Sequence, residues 1–175
     1  MIRRTIMLFP EFDNIHVIDE IRKKYDPLSE NVRPHITLVF TFESDLESEV
    51  IKNHLEDVTK EFEGFQLRMT KIVTINNAFG KYLFLLIEDG IEEIKRLSSQ
   101  LYTGTLAAYK PEWLTEETFL PHMTLGQFST DDALEQAYED VQKIHKEFKS
   151  VIRKVSVEII DDNEDSIIDF EMDMK

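Results

Sequence analysis

A five-residue string occurs twice in this chain. Residues 34–38 read Pro34-His35-Ile36-Thr37-Leu38, and residues 121–125 read Pro121-His122-Met123-Thr124-Leu125. Shuffling this composition yields two copies of Pro-His-x-Thr-Leu with a probability on the order of one in a million, counted as template matches. The two copies are therefore marks of one repeated unit, and the flanking pattern agrees. Apolar and β-branched runs predict strands over residues 2–9, 35–42, 65–75, 82–87, 122–128, 151–160 and 166–174. Helical spacing predicts four helices. The first carries Ile15, Ile18 and Ile21, and the second Leu46, Val50, Leu55, Val58 and Phe62. The third covers residues 91–101, and the fourth carries Ala133, Ala137, Val141, Ile144 and Phe148. Ser44-Asp45-Leu46-Glu47 reads as a capping box for the second helix, and Thr130 or Asp131 as the cap of the fourth. The order is β-α-β-α-β and then β-α-β-α-β-β, with the string on the second strand of each unit. The chain is expected to form one domain, 1–175, with lobe-like halves of roughly 1–78 and 79–175.

On a strand, residues two apart share a face. His35 and Thr37 therefore project together, with Ile36 and Leu38 behind them; His122 and Thr124 do the same, backed by Met123 and Leu125. If a pseudo-twofold axis relates the units, two imidazoles and two hydroxyls surround one cleft. Imidazoles with an ordinary pKa of about 6.5 divide labour near neutrality, one as base and one as acid. That arrangement suits in-line displacement at phosphorus, with threonine hydroxyls donating to the non-bridging oxygens. The scheme needs no metal, and no carboxylate or cysteine stands within either string to hold one.

The chain has no cysteine, so disulfides, thiolate metal sites and cysteine nucleophiles are excluded. Twenty basic and 35 acidic side chains leave a net charge of −15. Residues 131–175 hold six basic and fourteen acidic side chains, read as a solvated surface. Such a charge repels a phosphate backbone, so long duplex nucleic acid is not an expected partner, whereas a small anion or a strand end is. No apolar run approaches the roughly 18 residues of a spanning helix, and no membrane partner is expected. The opening residues read as a strand and not as a signal peptide, and a cytoplasmic location is the expectation.

The doubled His-x-Thr-Leu resembles the paired signature of the 2H phosphoesterase superfamily, which includes the bacterial 2′-5′ RNA ligase and cyclic phosphodiesterase group. Lys24-Tyr25-Asp26-Pro27, Met69-Thr70-Lys71, Leu101-Tyr102-Thr103-Gly104 and Leu120 to Gln127 resemble its YjcG-like branch. The resemblance spans nearly the whole chain. It implies a bilobal α+β fold whose antiparallel-rich sheets line a central cleft, and cofactor-free, metal-free chemistry at a cyclic phosphodiester. The substrate it implies is a small 2′,3′- or 1″,2″-cyclic phosphate, or an RNA 3′ end. His35 resembles the family's proton donor and His122 its proton acceptor, with Thr37 and Thr124 on the phosphate. The competing readings are a non-catalytic module binding a nucleotide or RNA end, and a 2′-5′ RNA ligase.

Other residues carry weaker signals. Arg33 is a candidate phosphate cation, and Lys81 and Tyr82 are candidates for a cleft mouth. Tyr102, Thr103 and Trp113 fall in a long segment of the kind that forms lids or stacks on bases, though packing is the favoured reading. His16, His54 and His145 are read as surface histidines without partners.

Overall fold

Strand β1 (Ile2–Leu8), helix α1 (Ile15–Tyr25) and strand β2 (Ile36–Ser44) open the chain, followed by α2 (Ser48–Thr59), β3 (Phe65–Asn77) and β4 (Gly80–Asp89). Helix α3 (Ile91–Leu101), a 3₁₀ turn at Gly104–Tyr109, β5 (His122–Phe128) and α4 (Asp131–Val141) come next. Three strands close it: β6 (Phe148–Ile152), β7 (Lys154–Ile160) and β8 (Ser166–Asp173). The computed structural model describes residues 1–175. No helix is long and apolar enough to cross a membrane.

The strands form two four-stranded antiparallel sheets, ordered β2-β1-β7-β8 and β5-β4-β3-β6. The orders correspond place by place. Each sheet begins with a motif-bearing edge strand, and its neighbour is the strand that precedes it across one helix. Helices α2 and α3 pack on the first sheet, and α1 and α4 on the second. One cluster of 35 buried apolar residues joins them.

The sheets do not part at residue 78, the boundary expected between halves. The first sheet takes residues 2–44 and 154–173, and the second takes residues 65–152. A tight turn explains the exchange. β3 and β4 pair down to Asn77↔Gly80, and Phe79 N donates to Asn77 Oδ1 at 2.9 Å. So short a connection leaves antiparallel strands no choice but to be neighbours. β3 therefore joins the sheet of β4, and β7 fills the corresponding place beside β1.

Three local expectations differ from the structure. Ser44 is the last residue of β2, paired with Ile2, so it caps nothing; Glu47 stands at the helix start without a side-chain bond. The predicted fourth helix ends at Val141, and Phe148 begins β6 opposite Met69. The helical spacing of Ile144 and Phe148 is overridden because β3 has an open edge that this segment fills. The run 151–160 is two strands, broken at Arg153. Thr130 does cap α4, its Oγ1 accepting from Ala133 N at 3.2 Å.

Gly90 precedes α3 with φ of +96°, and a Cβ there would stand 2.7 Å from the Gln66 carbonyl oxygen. Both strain and contact oppose a side chain. Gly90→Ala is expected to lower stability by at least about 1 kcal/mol, read as a lower urea midpoint at unchanged slope.

Candidate active site

The two strings sit at the starts of the two edge strands that face each other. Residues of β2 and β5 approach with Cα atoms within 8 Å. His35 immediately precedes β2 and His122 is the first residue of β5. The alternation expected from the sequence holds: His35, Thr37, His122 and Thr124 are half-buried, while Ile36, Leu38, Met123 and Leu125 are buried in the core. The Thr37 and Thr124 hydroxyls bond to no protein group, so both remain free to donate.

The imidazoles are held alike. His35 Nδ1 lies 2.8 Å from the Arg33 carbonyl oxygen, and His122 Nδ1 lies 2.7 Å from the Leu120 carbonyl oxygen. A carbonyl oxygen only accepts, so Nδ1 carries the hydrogen in both rings and donates it. The neutral rings then keep their lone pair at Nε2, the nitrogen left for proton transfer. The proline between each histidine and its acceptor fixes the bend that brings the carbonyl back to the ring.

Aromatic side chains set the ring planes. Phe84, on β4, stacks on His122 with centroids 3.5 Å apart and planes at 10°, and Tyr82 stacks on Phe84. Phe9 meets His35 edge-on at 6.3 Å, and the Arg33 guanidinium lies 4.2 Å over Phe9. Each imidazole is touched by solvent yet crowded by protein atoms, and crowding opposes its charge. Burial is the main reason that His122 is pushed down to about 4; the Leu120 carbonyl offsets part of this, and a charged His35 lowers it further. Burial likewise lowers His35, offset by the Arg33 carbonyl, lowered again by Arg22 and raised by Asp26. The two rings therefore titrate as a coupled pair, in which a charge on His35 opposes a second on His122.

Behind His35 is an ion pair that sequence reasoning missed. Arg22 Nε lies 2.8 Å from Asp26 Oδ2, with both side chains nearly inaccessible. Arg22 Nη2 also donates to the Val32 carbonyl at 2.9 Å, and Asp26 Oδ1 accepts from Leu28 N at 2.9 Å. These bonds clamp the turn that delivers Arg33, Pro34 and His35. The available signal was an arginine beside Ile18 and Ile21 with an aspartate four residues on. Phe84 was legible only as part of an apolar run. Two bonds hold β2 from the other side, with Ser98 Oγ donating to the Leu38 carbonyl at 2.6 Å and Phe40 N donating to the Tyr102 hydroxyl at 2.8 Å. Tyr102 is therefore a buried strut and not part of a lid, and burial pushes its phenol up to about 12.

The remaining candidates are placed as follows. Arg33 is exposed beside the cleft. Lys81 is taken up by Asp131 at 2.8 Å and Asn76 at 3.0 Å, so it offers no free cation. The Tyr82 hydroxyl donates to the Phe79 carbonyl, and its ring belongs to the stack under His122. Trp113 is 40% exposed and packs against Phe40 and Phe79. His16 and His145 are exposed. His54 does have a partner: its Nε2 meets the Leu101 carbonyl oxygen at 2.9 Å and ties α2 to the end of α3. No three or more His, Asp or Glu side chains converge as a metal-ligand set.

A family model described as the 2′-5′ RNA ligase superfamily matches residues 9–164. A Bacillus licheniformis protein named "Putative phosphoesterase" is 32% identical over 131 residues, covering 73% of this chain and 72% of its own. A relative of the same name from Geobacillus thermodenitrificans is 28% identical over 153 residues, covering 84% and 82%. Among solved structures, TT0787 of Thermus thermophilus superimposes with a TM-score of 0.65 at 14% identity, covering 98% of this chain and 97% of its own. Escherichia coli LigT complexed with 3′-AMP gives 0.61 at 12% identity, covering 99% and 98%. Kluyveromyces marxianus Usb1 gives 0.56 at 12% identity, covering 95% and 96%. These structures share the α+β architecture of two antiparallel sheets.

Proposed function

The chain belongs to the 2′-5′ RNA ligase superfamily, and from that premise we propose that it is a phosphoesterase that opens a small or RNA-terminal cyclic phosphodiester by two-histidine acid–base catalysis. The observation that carries the reading is the matched pair of imidazoles on facing edge strands, each fixed at Nδ1 and free at Nε2. LigT structures that share the fold hold 3′-AMP, ATP and NADP⁺, which favours a nucleotide-like substrate.

In this reading His122 is the base, the ring on which a charged His35 opposes a proton, and His35 is the acid. Nε2 of His122 takes a proton from water as the water oxygen bonds to phosphorus. The bond from phosphorus to one ribose oxygen breaks, and His35 Nε2–H delivers a proton to that oxygen. The product is a phosphomonoester. The two rings end with their protonation exchanged, and solvent restores them. Thr37 and Thr124 donate to the non-bridging oxygens, where charge grows in the transition state. Stacking on Phe84 holds the plane of His122 so that Nε2 stays in line.

The test is a panel of 2′,3′-cyclic nucleotides, ADP-ribose 1″,2″-cyclic phosphate and RNA ends with a cyclic phosphate, incubated in chelator. Conversion of at least one to its monoester is expected; saturable binding without product over hours would overturn the reading in favour of a binding module. End joining of RNA calls for extended contact with a polyanion, which the charge of −15 opposes.

The pH dependence follows from the two rings. Activity needs His35 charged and His122 neutral. Both titrate below the ordinary value of about 6.5. The singly protonated pair is therefore most populated on the acid side of neutrality. kcat/KM is expected to peak there, to fall toward alkaline pH as His35 loses its proton, and to fall near about pH 4 as His122 gains one. An optimum above pH 8 would remove His35 from the role of acid.

A further inference from the structure

A second cavity, of about 270 Å³, opens beside the first string. Arg33 and Pro34 line it directly before His35, together with Asn31, Glu158, Ser166 and Ile168. Register places Glu158 on the cleft side. Thr37 pairs with Met7, and Met7 with Ser156, so these three share one face of the first sheet. Glu158 lies two residues along β7 from Ser156 and points the same way.

Glu158 is 1% exposed, and neither of its carboxylate oxygens has a hydrogen-bond partner. A buried carboxyl group without donors is costly and is retained where something else supplies them. Burial raises its pKa; the nearby Ser166 hydroxyl and the Arg33 charge pull the other way, although Ser166 makes no bond of normal geometry. Asp19, Glu30 and Arg33 stand at its exposed rim, where solvent screens their charges, so the buried Glu158 decides which donors the cavity reads. The volume lies just below the roughly 300 Å³ at which pockets for whole small molecules begin, so it suits one ring system and not a complete nucleotide.

Among neutral rings that accompany a cyclic ribose phosphate, guanine alone presents two adjacent donors, N1–H and the 2-amino group, to a carboxylate. Adenine and cytosine present one amino group next to an acceptor, and uracil one N–H between two carbonyls. We propose that this cavity is a base-reading subsite selecting guanine next to the scissile phosphate, with Glu158 accepting from N1–H and the 2-amino group. This assignment rests on the phosphoesterase reading above for its substrate, but binding tests it separately.

The turnover test compares 2′,3′-cyclic GMP with the AMP, CMP and UMP analogues. The wild type is expected to favour the guanine substrate by at least about tenfold in kcat/KM, because a site with unpaired buried acceptors rejects ligands lacking the donors. Glu158→Gln, which turns a donor toward the 2-amino group, is expected to bring the four within about twofold through KM. Ile168→Trp fills the cavity from its exposed rim and is expected to do the same, which guards against misfolding of the first variant. The binding test uses guanosine, inosine and adenosine in calorimetry with wild type, Glu158→Gln and His35→Ala/His122→Ala. Guanosine is expected to bind at least about tenfold tighter than the other two wherever Glu158 is intact. A guanosine preference without turnover of any cyclic phosphate supports the subsite while sinking the phosphoesterase reading. Equal binding of the three nucleosides, a preference that survives Glu158→Gln, or occupancy by a diamine instead would overturn the subsite.

Discussion

His122→Ala is expected to lower kcat about 10²- to 10⁴-fold, the worth of one positioned acid or base, and to leave the protein folded. The ring touches solvent, and its one polar bond goes to the carbonyl two residues earlier in its own chain. Removing it uncovers a face of Phe84 on β4 but breaks no hydrogen bond between strands. His35→Ala is expected to match it, since His35 is bonded in the same way. If the rings act as one unit, the double variant loses little more than either single one. Stability against pH supplies an independent readout. Both folded-state pKa values lie below the unfolded value, so the unfolded chain binds protons first as pH falls. Stability is then lost as pH drops from about 6.5 toward the folded value of about 4 for His122. Each alanine variant removes its part of that acid sensitivity and is expected to be the more resistant to acid. A kcat within threefold of wild type in both variants would end the two-histidine assignment.

Asp26→Ala is expected to be the most damaging single change to the fold, costing about 3–5 kcal/mol. It strands the Arg22 guanidinium, buried on α1, without its counter-charge, and frees Leu28 N from its acceptor. The loss is read as a fall in the urea midpoint. Arg22→Met in the same chain is expected to recover much of it, because an apolar pair of similar volume tolerates burial better than a lone charge. The coupling between the two changes is measured by a double-mutant cycle. The turn ahead of His35 is tied by the same bonds, so the double variant is expected to regain stability more fully than kcat. Equal recovery of both would mean that the ion pair holds the fold without positioning the imidazole.

The sequence and the structure agree best where pattern is local. A period of two put His35 with Thr37 and His122 with Thr124, and core burial of Ile36, Leu38, Met123 and Leu125 follows from the same alternation. What was not legible depends on contacts distant in sequence. Nothing near Phe148 says that β3 has a vacant edge 80 residues earlier, so a helical spacing prevailed on paper and a strand formed instead. The exchange of strands between sheets is equally invisible, since it follows from the tightness of one turn and the pairing of β1 with β7. Glu158 looked like one of many acidic residues near the C-terminal end. Only register and burial set it apart from its solvated neighbours. Lys81 failed for the opposite reason: its position at the turn was read correctly, but Asp131 on α4 had already claimed its charge.

The interleaved sheets also dictate an order of assembly. The second sheet is drawn from one continuous stretch, residues 65–152, whereas the first must wait for residues 154–173 to reach a strand that began at residue 2. On a ribosome, where chains emerge from the N-terminal side onward, β1 and β2 appear before the second sheet yet are completed after it. Strand β1 waits with an open edge while the whole second sheet is made, and the half of the cleft that carries His35 closes only once residues 154–173 have emerged.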